Sequence, residues 1–322
     1  MIYALEVYRY DVNIPFPEQC SNGIIGAMNI TSNNQEKDLS IVIVSWNVCD
    51  LLKQALASIY QETNFISFEV IVVDNNSHDG SADMVMNEFP QVVLIRNKYN
   101  AGFAKANNQA IKRTTGRYIL LLNPDTVILD GNLDHSVGWM DDNVSVGIMG
   151  CRLLNPNHTP QASVRQLPTI GAMAMTLLKL HRVFPNAKAI KDYTRADFDY
   201  NKTQTVDQVM GAYFMVRRKT LDQIGLLDEG YFIWFEEVDY CARAKEMDWK
   251  VAYYPDASII HYYGQSFRQV LSLRKQVILN NSLLRYYQKH GTMWDRLIVK
   301  LLYIPSLIPS LVVSLIIQPF MK

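Results

Sequence analysis

RYILLLNPDTV, residues Arg117 to Val127, starts as an apolar run and stops abruptly at Asn123-Pro124-Asp125-Thr126. A short continuous apolar run bounded by turn residues reads as a strand buried on both faces. A carboxylate at the C-terminal end of such a strand sits where open α/β sheets bind their ligands. Asp125 is therefore a candidate functional residue. Asn-Pro-Asp is equally good turn chemistry, and this stretch alone leaves both readings open.

The preceding 80 residues decide the fold. Leu39–Ser45 (LSIVIVS), Phe68–Val73 (FEVIVV) and Gln91–Ile95 are further strand-like runs, separated by helical patterns at Val48–Tyr60, Asp79–Phe89 and Phe103–Thr114. Strands alternating with helices at this spacing predict βαβ units and a parallel sheet. Each strand then delivers its polar tail to one edge, which collects Ser45, Asp74, Asn100 and Asp125. A nucleotide is the commonest ligand of such a crevice. Asp74 suits a base ring N–H or a ribose hydroxyl, although an N-cap or Asx turn before the next helix explains it too. Asp125, hard and anionic, suits Mg2+ or Mn2+ bridging a diphosphate, and Gly102 would let the backbone approach the ligand closely.

SWN (Ser45 to Asn47), VVDNNSHDGS (Val72 to Ser81), NAGFAKANN (Asn100 to Asn108) and LLNPDT (Leu121 to Thr126) resemble, in this order, the motifs of family 2 inverting glycosyltransferases. The nearest subgroup is the rhamnosyltransferase-like enzymes of bacterial surface-polysaccharide synthesis, and the resemblance runs from about Leu39 to about His290. It implies the GT-A fold: a Rossmann-like α/β domain with a mixed, mainly parallel central sheet flanked by helices. It also implies roles. Ser45, Trp46, Asp74, Asn75, Asn100, Gly102, Phe103, Asn108 and Asn123 would form the nucleotide-sugar pocket, and Asp125 would be the metal-binding acid. The family's DXD-type motif here reads Asn-Pro-Asp and keeps one carboxylate, so a second metal ligand is expected elsewhere.

The second half would carry the acceptor side. Gly211-Ala212 opens a strand-like run to Val216, and Glu236, Glu237 and Asp239 crowd a helix start. Acids there also complement a helix dipole, with Asp239 and Arg243 spaced for an i,i+4 pair. Glycosyl transfer needs a carboxylate to take the acceptor hydroxyl's proton as it attacks the anomeric carbon. Glu236-Glu237 resembles the family's Glu-Asp pair, whose second member is the usual base, which favours Glu237 as base with Glu236 second. Gly211, Ala212 and Asp239 are the expected acceptor contacts. His261, Gly264 and Ser266 match the family's His-x-x-Gly-x-Ser pattern, and the His261 imidazole would complete the metal shell or meet the diphosphate.

Zero net charge with 19% charged residues carries no nucleic-acid signature. Cys20, Cys49, Cys151 and Cys241 lack metal or disulfide spacing, which suits reduced thiols in the cytoplasm. SWNVCD has no glycine, which argues against a dinucleotide-dependent oxidoreductase. No Gly-rich basic phosphate loop follows the first strand, which argues against a nucleotidyltransferase, while a non-catalytic sugar-nucleotide-binding module stays open. The expected organisation is an N-terminal extension (1–38, its first 27 residues of little structural consequence) and a catalytic domain (39–266, donor half 39–126, acceptor half 127–266). A helical C-terminal region (267–322) follows.

From Ala257 onward there are eight Lys or Arg and one acid, and Leu301–Met321 is uncharged. That length can cross a bilayer. Pro305, Pro309 and Pro319 predict instead a re-entrant or monotopic helix pair, with Arg285, Lys289, Arg296 and Lys300 as a lipid-facing basic patch. A helix simply packed on the catalytic domain is the alternative. The expected donor is dTDP-L-rhamnose or another UDP- or GDP-linked sugar. The acceptor would be a polyprenyl-diphosphate-linked or other saccharide, met at the cytoplasmic face of the cell membrane.

Overall fold

The computed structural model describes residues 37–264 and 270–316, with side chains to residue 314. Ser266 and Cys20 lie outside these residues, as does the segment 1–36. The first half alternates as the pattern requires: β1 (Leu39–Ser45), α1 (Cys49–Glu62), β2 (Phe68–Asp74), α2 (Ser81–Glu88), β3 (Val93–Arg96), α3 (Phe103–Ile111) and β4 (Tyr118–Leu122). Then come β5 (Thr126–Ile128), α4 (Asn132–Asp142), β6 (Val146–Leu154), β7 (Pro160–Gln161), β8 (Val164–Arg165), α5 (Ile170–Leu177), α6 (Leu180–Val183) and α7 (Lys188–Thr194). The second half closes with β9 (Gln204–Val206), β10 (Gln208–Val209), β11 (Tyr213–Arg217), α8 (Arg218–Ile224), α9 (Glu236–Glu246) and β12 (Lys250–His261).

The main sheet runs β3-β2-β1-β4-β11-β6-β12-β5, with β7 on β6 and β9 on β12, while β8 and β10 form a separate pair. β1 is parallel to β2 and β4, and β6 to β12. Both faces are covered, so the strands are apolar throughout. Leu39, Ile41 and Ile43 pack with Leu52, Leu56 and Ile59 of α1 on one face. Val42 and Val44 pack with Ala104, Ala106 and Ala110 of α3 on the other. β11 is antiparallel to its neighbour β4, with Tyr213 opposite Leu122. An antiparallel strand begins at the edge where its neighbours end, and that brings Gly211 and Ala212 beside the tail of β4.

Two helices complete the chain, α10 (Ser272–His290) and α11 (Met293–Ile316), an antiparallel hairpin whose polarity is inverted. Between them lie buried polar groups: Asn280 Nδ2 donates to Ser306 Oγ (2.8 Å), Ser310 Oγ to Gln276 Oε1 (3.3 Å), and Lys179 Nζ to the same Gln276 oxygen (2.6 Å). Outward α11 shows Trp294, Leu297, Leu301, Ile304, Ile308 and Leu311, an apolar stripe at helical spacing. Of Met293–Ser314, long and apolar enough to cross a membrane, only 17% is buried.

Two expectations need correction here. Pro305 and Pro309 do not split the described part of the segment, because α11 runs through both, and Asn280 and Ser306 both donate to the Tyr303 carbonyl in this stretch; Pro319 lies outside the described residues. Nor do Arg285 and Lys289 form a lipid-facing patch. They turn inward to Asp228, while Arg296 reaches the Tyr287 carbonyl. Residues from Lys37 onward pack as one unit, α10 included.

Candidate active site

β1 and β2 end level, Ser45 opposite Asp74. Asp74 Oδ2 accepts the Ser77 N–H (3.0 Å) in an Asx turn, but its Oδ1 is buried without a hydrogen-bond partner, and so is Ser45 Oγ. Buried polar atoms left unpaired are uncommon, and two on adjacent strand tips mark a place for a ligand's donor groups. Helix capping falls instead to Asp79, which accepts from Ser81 and from Cys49 N at the start of α1. Trp46 is half-buried next to Ser45.

Three expected pocket residues also brace the loops around the edge. Asn75 donates to the Gly102 carbonyl and accepts from Asn97 and Ala101, which engages its carboxamide oxygen and one of its two N–H groups. Asn108 ties α3 to the loop after α8, accepting from Leu227 N (3.1 Å) and donating to Leu227 O (2.8 Å) and Glu229. Gly102 has φ 83°, and a Cβ there would stand 2.5 Å from the Phe232 carbonyl oxygen. Its glycine allows a close approach to the Phe232 loop, and Phe103 N seals that contact (2.6 Å). Asn100, half-buried, accepts from Gly102 N.

Across the edge, β12 and β5 pair His261 with Thr126, which brings His261 to Asp125. His261 Nε2 lies 3.4 Å from Asp125 Oδ1 and from Asn123 Nδ2. Gln161, a residue the sequence reading missed, fixes the ring. Its Nε2 donates to Asn155 Oδ1 and the His261 carbonyl, so its Oε1 receives Nδ1–H at 2.7 Å and the Nε2 lone pair is left facing Asp125.

The acids sit on a strained turn. Trp234 (φ 66°) and Phe235 (φ 74°) both lie in the left-handed region immediately before Glu236, an arrangement that costs roughly 1–3 kcal/mol per residue and persists only where the surroundings enforce it. α10 enforces it. Ser282 Oγ donates to the Ile233 carbonyl (3.0 Å), Tyr286 packs on Phe235, and Arg285 grips Asp228 through two bonds (3.0 and 2.5 Å). On the far side, Arg243 and His290 hold Asp239 (2.9 and 2.8 Å), whose side chain is fully buried. Asp239 is thus a buttress, and the expected acceptor contact is not available to it. Glu237 lies across Gly211, where a Cβ would sit 3.8 Å from its Cβ and Cγ. The next residue, Ala212, accepts the Asn123 N–H (3.1 Å). The acid turn and the Asp125 loop are therefore joined by two residues of backbone.

The sequence that builds this arrangement, a sheet edge tipped with Ser45, Asp74 and Asp125 together with a buried acid pair, is matched by a family. The glycosyl transferase family 2 model covers residues 40–225. The chain belongs to glycosyl transferase family 2. Over 239 residues this glycosyltransferase is 25% identical to the N-acetylglucosaminyl-diphospho-decaprenol L-rhamnosyltransferase of Mycobacterium tuberculosis, spanning 71% of this chain and 77% of that one. It is 22% identical over 257 residues to the low-salt glycan biosynthesis hexosyltransferase of Haloferax volcanii, 76% of each chain. The mannosyltransferase of Pyrobaculum calidifontis, solved with GDP-Man and Mn2+, superposes with TM-score 0.54 at 17% identity, covering 87% of this chain and 75% of that one, and shares the GT-A fold.

The electrostatics of the glycosyltransferase separate its two glutamates. Glu236 is 4% exposed, and burial first, then the neighbouring Glu237 charge, pushes its carboxyl well above the usual range. Glu237, half-buried, is raised by burial, with backbone hydrogen bonding and the charge of Arg165 partly offsetting it. Both carboxyls are raised, Glu236 by burial and the neighbouring charge and Glu237 by burial, and paired groups in unlike environments take different roles. Asp239 goes the other way. Burial opposes its ionisation, but hydrogen bonds from His290 and Lys289 and the charge of Arg243 hold it below the usual range. The α10 contacts had a sequence signal, Arg285 and Lys289 one helical turn apart, which fits lipid headgroups as well as it fits buried carboxylates.

Proposed function

We propose that this glycosyltransferase moves L-rhamnose from dTDP-L-rhamnose, with inversion, onto a saccharide carried by a polyprenyl diphosphate, as a step in cell-surface polysaccharide synthesis at the cytoplasmic face of the membrane. The observation that carries the reading is the backbone link from Glu237 across Gly211 and Ala212 to Asn123, which sets one ionisable base against the Asp125 loop. A single base and direct displacement give inversion. Ser45 and Asp74 would receive the nucleoside, Asn123, Asp125 and His261 the diphosphate end, and Glu237 the acceptor proton. The donor and acceptor classes are supported by the mycobacterial relative's name, and membrane docking by the inverted polarity of the α10–α11 hairpin.

A divalent cation fits the residues present. Among the described residues no cluster of three acid, His or Cys ligands exists, but Mg2+ and Mn2+ are commonly held by one or two protein groups plus substrate phosphates and water. Asp125, 4% exposed, and His261 with its oriented Nε2 are such a pair. When bound, the ion would offset charge on the departing diphosphate.

The second reading keeps the chemistry and changes the donor to a UDP- or GDP-linked sugar, since the haloarchaeal relative is named only as a hexosyltransferase. A non-catalytic nucleotide-sugar-binding module is the remaining alternative. All are separated by incubating the enzyme with each nucleotide sugar, Mn2+ and a polyprenyl-diphosphate-linked N-acetylglucosamine acceptor, then assigning the product's anomeric configuration by NMR. Inverted rhamnoside is expected. Turnover only with another donor supports the second reading, retention refutes the single-base mechanism, and no turnover with Glu237 intact leaves a binding module.

A further inference from the structure

Arg165 lies on the acceptor side and has no part in the chemistry described above. It is 8% exposed on β8, its guanidinium 5.6 Å from the centre of the Tyr193 ring. β8 pairs with β10, Arg165 opposite Gln208, and Met210 N donates to the Ser163 carbonyl (2.9 Å). One residue further is Gly211, on which Glu237 rests. Ser163 immediately precedes β8, and its carbonyl is the one Met210 N–H meets, so it and Arg165 lie on the same short segment held against β10. Ser163 Oγ is buried without a partner, and so is Glu237 Oε2. Orphaned oxygens on Ser163 and Glu237, with a buried guanidinium one residue from β8's start whose charge reaches Glu237, call for a ligand that both accepts and donates. Downstream, the chain passes Pro168, whose carbonyl meets Tyr287 of α10 (3.3 Å), and enters α5, which packs against α11. The strand that holds Arg165 therefore leads from the base to the helix with the exposed apolar stripe.

We propose that Arg165, with Ser163 beside it, is the subsite for the phosphate groups of a diphosphate-linked acceptor, whose sugar then lies at Glu237 and whose hydrocarbon lies toward α11. The proposal rests on the acceptor reading above. Arg is suited to the task because its planar fork matches phosphate oxygens and keeps its charge when buried. Its charge also reaches Glu237, whose carboxyl it lowers, so an acceptor phosphate that takes up this charge leaves the base more avid for the hydroxyl proton.

The test uses the detergent-solubilised full chain with farnesyl diphosphate as probe, farnesol as uncharged control, and dTDP saturating the donor site. Wild type should bind farnesyl diphosphate well above farnesol. Arg165→Met should weaken that binding about 10- to 100-fold, the range for a charge-assisted hydrogen-bonded pair. Arg165→Lys should fall between, and dTDP affinity should not change. If Arg165→Met does not fold, Ser163→Ala keeps the guanidinium and should still weaken the diphosphate selectively. Equal binding of diphosphate and alcohol by wild type, or equal diphosphate binding by wild type and variants, overturns the subsite. Preferential transfer to a free saccharide over a diphosphate-linked one is a separate readout that overturns the acceptor reading and the subsite with it.

Discussion

Replacing Glu237 by Gln removes the proton acceptor and keeps its shape against Gly211. Loss of a positioned general base costs about 10^2- to 10^4-fold in rate, or about 2.7–5.4 kcal/mol in the barrier. Glu236→Gln should behave differently, because burial and the neighbouring Glu237 charge favour the neutral form that a glutamine imitates, and its cost should stay below about tenfold. Stability supplies a second, opposite signature. Both carboxyls are raised by burial, so between the unfolded value of about 4.3 and the raised folded values the native state binds more protons than the unfolded one. Stability must then fall as pH rises across that window. Either Gln variant removes one titrating group, and its Tm should exceed that of wild type at pH 8 while matching it more closely at pH 4. Single-turnover rates and thermal melts across pH 4–9 read both effects. A Glu237→Gln variant with more than a tenth of the wild-type rate, or a Glu236→Gln variant slower than it, would refute the assignment of the base.

Asp125→Ala should abolish divalent-dependent turnover with little change in Tm, and near-normal activity of this variant in EDTA would remove the metal assignment. Gly102→Ala should place a methyl 2.5 Å from the Phe232 carbonyl at a φ of 83°, so Tm should drop and turnover with it as the Phe232 loop lifts. Loss of donor binding at unchanged Tm would show instead that the glycine serves the ligand. Leu301→Lys with Ile308→Lys charges the exposed stripe of α11 without touching its buried serines, and should release the enzyme from anionic vesicles at unaltered Tm. Equal partitioning of wild type and variant would favour a helix that merely packs on the protein.

The sheet was legible because its signal is local. An unbroken run such as YILLL between a basic residue and Asn-Pro-Asp has few ways to be buried, and the alternation around it leaves one topology for the donor half. The insertion of antiparallel β11 between β4 and β6 left no such trace, yet it is what carries Gly211 to Asn123. The bracing contacts of Asn75, Gly102 and Asn108 were hidden for the same reason. An asparagine in NAGFAKANN has the same chemistry whether it faces a nucleotide or the backbone of Leu227, 119 residues away, and a glycine that admits a ligand resembles one that admits a carbonyl. The cations of α10 make the case most sharply. Arg285 and Lys289 on a helix beside an apolar segment satisfy every local criterion for a lipid-facing patch, and only the fold brings Asp228 within 3 Å of both. The consequence is mechanical. α10 clamps the strained turn that presents Glu236 and Glu237, and its other face is fastened to α11 by Gln276 and Asn280, so the hairpin that offers an apolar surface outward is also the part that keeps these two acids in place.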